Sequence, residues 1–465
     1  MKKFTLIFPL FLMLTSVSFG NIINVPNDYS TIQAAINASV DGDTILVEPG
    51  TYMENINYRD KNIVITSRYY ISRDPSYISS TIINGSSPVS ADTASCVIIS
   101  GGQDSSAILQ GFTLTGGGGT KWLDIHGAGT YREGGGILIE LSSPTIQHNI
   151  IRDNLVTNTV GVVSTGGGGI RIGDGNPKIL NNIIIGNTGK YGAGVVLNYT
   201  GVLIKNNVIA NNFGSNAYGA GSGIWNTGGS LNSKVIENNT IVNNSATAGT
   251  AGIQSYTSIL IMRNNIIWGN TAPGPNQISG SVSVRYCDVQ GGFTGEGNIN
   301  VAPTFDSTNY YLATGSAGID EGDTSIIYND LEDSLNPGNA LFPSRGTLRN
   351  DMGAYGGSGA TILGVSTVSI QNISQSIPEK FYLAQNFPNP FNPSTKIKFD
   401  IPKSAGVKLI VYDITGREVA SLVDERLEAG SYQYTFNAVS LPSGTYFYTI
   451  DVDGVKETKK MVLLK

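Results

Sequence analysis

Five times between residues 149 and 270 the chain returns to a six-residue block with Asn at each end: NIIRDN (149–154), NIIIGN (182–187), NVIANN (207–212), NTIVNN (239–244) and NIIWGN (265–270). The starts lie 33, 25, 32 and 26 residues apart, and each block follows a glycine and an aliphatic residue: Gly136-Ile137, Gly169-Ile170, Gly194-Val195, Gly223-Ile224 and Gly252-Ile253. Landmarks in fixed order at uneven spacing mean one unit stacked on itself, with a loop that absorbs the variation. Between landmarks the side chains alternate: Ile137, Ile139 and Leu141 share a face, Ser142-Ser143-Pro144 turns the chain, and Ile146 resumes before Asn149. Three short strands per repeat predict an all-β parallel solenoid, its coils about 4.8 Å apart and its aliphatic side chains stacked inside. A weaker copy, GFTLTG (111–116), puts Gly where the other blocks have Asn.

Composition agrees. With 58 Gly in 465 residues and only 14% charged residues, the chain is neither a coiled coil nor mostly helical, and 40% hydrophobic residues exclude a disordered polymer. Lys+Arg 29 against Asp+Glu 35 gives a net charge of -6, the wrong sign for neutralising phosphates, so nucleic acid is not expected as a partner.

The first Asn of each block (Asn149, Asn182, Asn207, Asn239, Asn265) falls where the chain must bend, and Asn tolerates the left-handed region. Its amide both donates and accepts, which predicts an inward Asn ladder along the axis. If the aliphatic after each glycine points inward, Leu138, Arg171, Val196, Trp225 and Gln254 form an outward row. Two positions farther lie Glu140, Gly173, Asn198, Thr227 and Tyr256.

At the N-terminus, residues 1–20 read as a signal peptide cleaved near Gly20-Asn21: Lys2-Lys3, an apolar run over 4–14, then Ser18-Phe19-Gly20. No later segment is apolar enough to span a bilayer. Ser30 and Gln33 form an S-x-x-Q capping box, with Ile32, Ala35 and Ile36 on one side of a short helix that would shield the open end of the solenoid. Asp41 and Asp43 in the following DGD read as turn residues, not a calcium site.

Residues 24–66, the G-I…N-x-I-x-x-N coils and the closing NINVAPTF…YYLATGSAGIDEGD…RNDMGAYGG (298–357) resemble the right-handed parallel β-helix proteins of the pectate-lyase-like superfold. The resemblance covers residues 21–360 and implies that fold, but not a chemistry, because the superfold hosts lyases, hydrolases and adhesins. Asp320, Glu321 and Asp323 fall in its closing segment and read as turn residues. In such a helix Cys96 and Cys287 stand roughly 33 Å apart at about 4.8 Å per coil. A disulfide allows about 7 Å between Cα atoms, so both are expected to be free, buried thiols.

Charge density changes near residue 378: residues 378–465 hold 21 charges in 88 residues, residues 136–270 hold 11 in 135. The Ser/Thr/Gln-rich stretch 361–380 reads as a linker and 381–465 as a separate module. Alternation at Ile397, Phe399, Ile401; Val407, Leu409, Val411; Tyr432, Tyr434, Phe436; and Tyr446, Tyr448, Ile450, with a hairpin at Asp453-Gly454, predicts a small immunoglobulin-like β-sandwich. AQNFPNPFNPSTKIKFDIP, VYDITGREV, LPSGTYFYTI and the final ETKKMVLLK resemble the type A C-terminal sorting domain of the type IX secretion system. That resemblance implies the secretion machinery as a partner, an address read at the outer membrane, and a passenger released or attached to surface lipopolysaccharide.

For chemistry the coils offer little. His126 and His148 are the only histidines, with no cysteine pair near either, so no metal site and no cofactor are expected; calcium stays an option that the scattered carboxylates do not call for. Polysaccharide cleavage would need clustered groups. Glu140 and Asp174 sit on adjacent coils with backbones about 6 Å apart, in the range for a glycosidase pair though opposite in parity. Resemblance to pectate lyases implies a basic residue instead, and Arg171 is the candidate. The loop 116–136 gathers Lys121, Trp122, Asp124, His126, Tyr131, Arg132 and Glu133, the densest such group in the chain. The expected function is binding of extended polysaccharide, outside the cell or on its surface, by Arg171, Trp225, Gln254 and Tyr256 with Trp122 and Tyr131. The alternatives are a polysaccharide lyase or glycoside hydrolase, and a structural adhesin.

Overall fold

The computed structural model describes residues 20–363, 371–374 and 378–464, except 216, 217, 219, 230, 231, 275, 276, 307, 308, 393, 428, 439 and 440. The signal-peptide reading and much of the linker lie outside the described residues. The chain divides into two compact units, Met1–Val365 and Ser366–Lys465.

The first unit is a parallel β-helix with three long sheets. Its first sheet stacks Ile137–Glu140, Ile170–Gly173, Val195–Asn198 and Ile224–Thr227, then the leading half of Ile253–Arg263. In the second, Thr145–Gln147, Lys178–Leu180, Val202–Lys205 and Lys234–Glu237 run into the trailing half of that eleven-residue strand, which turns the corner and joins the two sheets. The third carries the Asn-bounded blocks, Ile150–Arg152, Ile183–Ile185, Val208–Ala210, Thr240–Val242 and Ile266–Trp268. Apolar side chains fill the bore in register: Ile137, Ile170, Val195, Ile224 and Ile253 stack from the first sheet, Ile146, Ile179, Ile204, Ile236 and Met262 from the second, Ile151, Ile184, Ile209, Ile241 and Ile267 from the third, all at most 1% exposed. Glycine precedes the first sheet because coils meet closely at that corner. A Cβ on Gly194 would stand 2.6 Å from Gly223 O and 2.9 Å from Ile209 Cγ2.

Both ends of each block build ladders. Asn149, Asn182, Asn207, Asn239 and Asn265 donate Nδ2 to the next Oδ1 at 3.0–3.1 Å, and Asn265 points to Cys287 Sγ at 3.7 Å. A second ladder, absent from the sequence reading, runs through Asn154, Asn187, Asn212, Asn244 and Asn270 at 2.9–3.0 Å. It ends on Gln277 Oε1 at 2.8 Å, and at its other end Cys96 Sγ donates to Asn154 Oδ1 at 3.4 Å. Both cysteines are free and buried, each terminating one ladder, and burial pushes their thiols up to about 12 (Cys96) and about 11 (Cys287).

Two details of the repeat are corrected. The left-handed residue is not the ladder Asn but the one before it, Asn181, Asn206, Asn238 and Asn264 (φ 51 to 57), because the side chain must turn outward there before the next turns in. GFTLTG is also one residue out of register: Thr113 pairs with Ile150, so Phe112 occupies the ladder position, and Gly111 (φ 85) takes the bend.

The outward Asn residues hold the closing segment against the third sheet. Asn206 Nδ2 donates to Ala354 O and Gly356 O, Asn238 Nδ2 to Asp351 O, and Asp323 N donates to Asn264 Oδ1. Tyr311, Leu312, Met352 and Tyr355 pack there on Ile183, Ile185, Val208 and Val242. Asp320 accepts from Thr347, and Asp323 pairs with Arg263, so both are structural.

The N-terminal helix spans Ile32–Ala38 and buries Ile32, Ala35 and Ile36 as expected. Its cap is Thr31 rather than Ser30, and no capping box closes: Gln33 Oε1 accepts from Asn57 N (2.7 Å), while the Glu54 carboxylate accepts from Ile32 N (3.0 Å) and Gln33 N (2.9 Å). A carboxylate from the first coil thus satisfies the helix's free N–H groups and ties the cap down. Asp43 accepts from Val40 N across the turn and from Asn21 N, and Asp41 accepts from Asn62 N farther along the chain, so both carboxylates serve backbone donors.

The second unit holds two four-stranded antiparallel sheets. The alternating residues named above are all buried in its own core, and Asp453 (φ 47) and Gly454 (φ 92) make the last hairpin turn. Gln371–Ser374, inside the stretch read as linker, is a strand paired with Gly430–Asn437.

The ladder gives a direct test. Asn207 accepts on Oδ1 from Asn182 N and Nδ2 and donates to Asn239 Oδ1 (3.0 Å) and Ile179 O (2.8 Å), all buried. Asn207→Ala orphans groups on two neighbouring coils and is expected to lower stability by about 1–3 kcal/mol in denaturant unfolding. Unchanged unfolding would mean that the ladder carries no stability.

Candidate functional site

The outer face of the first sheet is covered, not bare. The loop 116–136 folds into a hairpin, Gly119–Asp124 against Gly129–Glu133, flanked by Thr93–Ala94 and Thr165–Gly166 in a four-stranded sheet. Strand alternation sorts its side chains. Trp122 and Tyr131 are cross-strand partners with rings stacked at 5.8 Å, and with Asp124 and Glu133 they face a pocket. Lys121 and Arg132 alternate to the other side, where both pair with Asp92.

The outward row has the expected register, Leu138, Arg171, Val196, Trp225, Gln254, yet every member is buried. Arg171 is therefore corrected from a solvent-facing contact to a fully buried one (0% exposed). Its guanidinium lies 3.5 Å from the Trp122 ring centroid, and Nε donates to Glu133 Oε2 at 3.2 Å while Nη1 pairs with Glu140. Gln254, at 8% exposure, is likewise hidden and does not line the pocket. Of the two carboxylates on adjacent coils, Glu140 is engaged by Arg171, and Asp174 Oδ1 lies 2.8 Å from His126 Nε2. They therefore have different partners.

Glu133 is the hub. Trp122 Nε1 donates to its Oε2 at 2.9 Å and the Tyr191 hydroxyl donates to its Oε1. Burial pushes the Glu133 carboxyl up, opposed by Arg171. Burial also pushes Arg171 down and, with Glu133 beside it, Tyr191 well above its ordinary range.

Beyond the hairpin tip the pocket continues across the next coils, a cavity of about 430 Å³. Val196 and Trp225 form its floor, and Tyr191, Tyr199, Tyr218 and Tyr256 surround them. Trp225 packs on Tyr191 (4.9 Å), Tyr256 (5.7 Å) and Tyr218 (6.3 Å), while Trp225 Nε1 and the Tyr256 hydroxyl both donate to Tyr218 O. His126 stacks on Tyr199 at 3.6 Å and fastens the hairpin tip to two successive corner residues, Asp174 and Tyr199, both left-handed (φ 48 and 51). Burial, with Tyr218 and Glu133 nearby, pushes Tyr131 up to about 12. Four of the expected binding residues thus meet here: Trp122, Tyr131, Trp225 and Tyr256. Tyr191, Tyr199 and Tyr218 were missed, although YGAG recurs at 191 and 218 and marks the loop that supplies two of them. Among the described residues no three His, Cys, Asp or Glu side chains gather as a metal site.

Neither a curated protein nor a solved structure matches the chain. Residues 385–464 do match a family model, the secretion system C-terminal sorting domain, covering nearly all of the β-sandwich. The chain therefore ends in a type IX secretion sorting domain that engages the export machinery and directs the protein to the cell surface or the medium.

Proposed function

We propose that the β-helix is an exported glycan-binding passenger, that residues 1–20 are its removable export signal, and that extended polysaccharide docks in the aromatic pocket of the first sheet. One observation carries this reading: seven aromatic residues, Trp122, Tyr131, Tyr191, Tyr199, Tyr218, Trp225 and Tyr256, converge on one cavity of about 430 Å³. That volume is in the range of small-ligand sites. Indole and phenol rings offer flat apolar faces for the C–H faces of sugar rings, and their polar edges reach the hydroxyls.

Tyr199 and Tyr256 are the pocket aromatics to test, being 36% and 42% exposed and so removable without opening the core. Tyr199→Ala and Tyr256→Ala are each expected to weaken retention on a responsive polysaccharide about fivefold, roughly 1 kcal/mol, with stability to unfolding lowered by no more than one lost ring contact, about 0.5–1.5 kcal/mol. A panel of polysaccharides screened for retention is also scored for chain cleavage, which would turn the reading to a lyase or hydrolase. Retention unaffected by both substitutions would remove the pocket from the function.

A further inference from the structure

We infer that the pocket takes an uncharged, hydroxyl-rich stretch of glycan and discriminates against uronate chains, a specificity that rests on the glycan-binding reading above.

A uronate carboxylate taken from water needs a cation or several N–H donors to replace its hydration. Among the described residues the pocket provides no such cation. None of the described lining residues is Lys or Arg, and the sequence from 214 to 233, within which Tyr218, Trp225 and Thr227 line the pocket, contains neither. The nearest guanidinium, Arg171, lies beneath Trp122 with no exposed surface and is engaged by Glu133 and Glu140. Lys234 stands behind the wall residue Thr227, 3% exposed, with its ammonium on Asn226 Oδ1 (2.7 Å) and Gly228 O (3.0 Å). Lys121 and Arg132 leave the hairpin on its far side toward Asp92. Among the described lining residues His126 is the one able to carry positive charge, and it sits on Asp174.

Negative charge is plentiful by comparison. Asp124 and Glu133 line the cavity, with Glu140 and Asp174 on the coils behind it, four carboxylates around one guanidinium and one imidazole. An incoming carboxylate meets like charge in a partly desolvated space, where repulsion is stronger than in bulk water. A neutral sugar meets no such penalty. Asn198, a lining residue, has its Oδ1 buried without a hydrogen-bond partner, and it can accept from a sugar hydroxyl but not from a carboxylate.

The test uses the full chain and calorimetric titration with matched-length oligosaccharides: neutral ones cut from mannan, xylan and cellulose, and oligogalacturonate. The best neutral chain is expected to bind at least about tenfold more tightly than the uronate, the margin narrowing with salt. Thr257→Arg places a guanidinium at the exposed rim of the pocket and should raise uronate binding several-fold relative to neutral binding. Oligogalacturonate bound as tightly as the neutral chains by the unsubstituted protein overturns the specificity while leaving glycan binding intact. A Thr257→Arg variant with an unchanged ratio removes charge as its cause and overturns it equally. If no oligosaccharide of either kind binds, glycan binding itself fails, and this inference with it.

Discussion

Arg171→Ala is expected to lower the stability of the β-helix by about 3–5 kcal/mol at neutral pH, the largest effect of any single substitution near the pocket. Arg171 is 0% and Glu133 2% exposed, and the guanidinium also engages Glu140, so truncation leaves two carboxylates under the hairpin without their cation. It also removes the face on which Trp122 rests at 3.5 Å. Lys cannot substitute, because a point charge does not bridge two carboxylates and stack on indole at once. The pH dependence follows from burial, which raises the Glu133 carboxyl even with Arg171 present. A carboxylate whose folded pKa lies above its unfolded value of about 4.3 contributes stability below that value and loses it as pH rises through the folded pKa. In Arg171→Ala the rise is greater, so the deficit against the unsubstituted chain should shrink on acidification toward pH ~5 and widen toward neutrality. Urea unfolding across that range measures it. A deficit below about 1 kcal/mol, or one that ignores pH, would mean that water reaches Glu133 and Glu140. Arg171→Met combined with Glu133→Gln and Glu140→Gln should recover much of the loss, since removing the whole charged cluster avoids burying an unpaired ion.

The inside of the β-helix was readable from sequence because its pattern is periodic and local. Alternation around Gly136-Ile137 and its four counterparts sets which side chains point inward, and the outward row from Leu138 to Gln254 has the register that alternation requires. The errors are of one residue or of one direction. The doubled Asn at 181–182, 206–207, 238–239 and 264–265 serves two purposes, one amide outward to the closing segment and the next inward to the ladder. The letters alone do not separate these roles, because Asn suits both a left-handed bend and a buried amide stack. What covers the outer face was not legible. The hairpin lies about 40 residues before Arg171 in the chain, and alternation within a strand carries no record of an insertion from another coil. Sequence could name Arg171 as outward-pointing, but only the fold shows that outward here means beneath Trp122. Of the loop tyrosines, Tyr191 and Tyr218 share the recurring YGAG but Tyr199 carries no such marker, and the convergence of all three on one cavity follows only from the stacking of the coils.

Truncation after Val365 is expected to abolish display at the cell surface and release to the medium, with the folded β-helix retained in the periplasm. The cut belongs there rather than at residue 381 because Gln371–Ser374 pairs with the sandwich, and leaving that strand behind would expose an unpaired edge. The sandwich has its own core around Phe399, Val407, Tyr434 and Tyr448, and the β-helix core is complete without it, so the truncated passenger should unfold as the full chain does. Fractionation with an antibody to the β-helix reads the outcome, and normal surface display of the truncated chain would overturn the sorting assignment. The same truncation separates address from activity. Every described residue lining the pocket lies between 122 and 257, so the truncated protein, recovered from the periplasm, should bind its glycan with unchanged affinity. Affinity lost together with export would mean that the sandwich contributes to recognition, whereas affinity kept while export is lost would confine recognition to the first sheet and its hairpin.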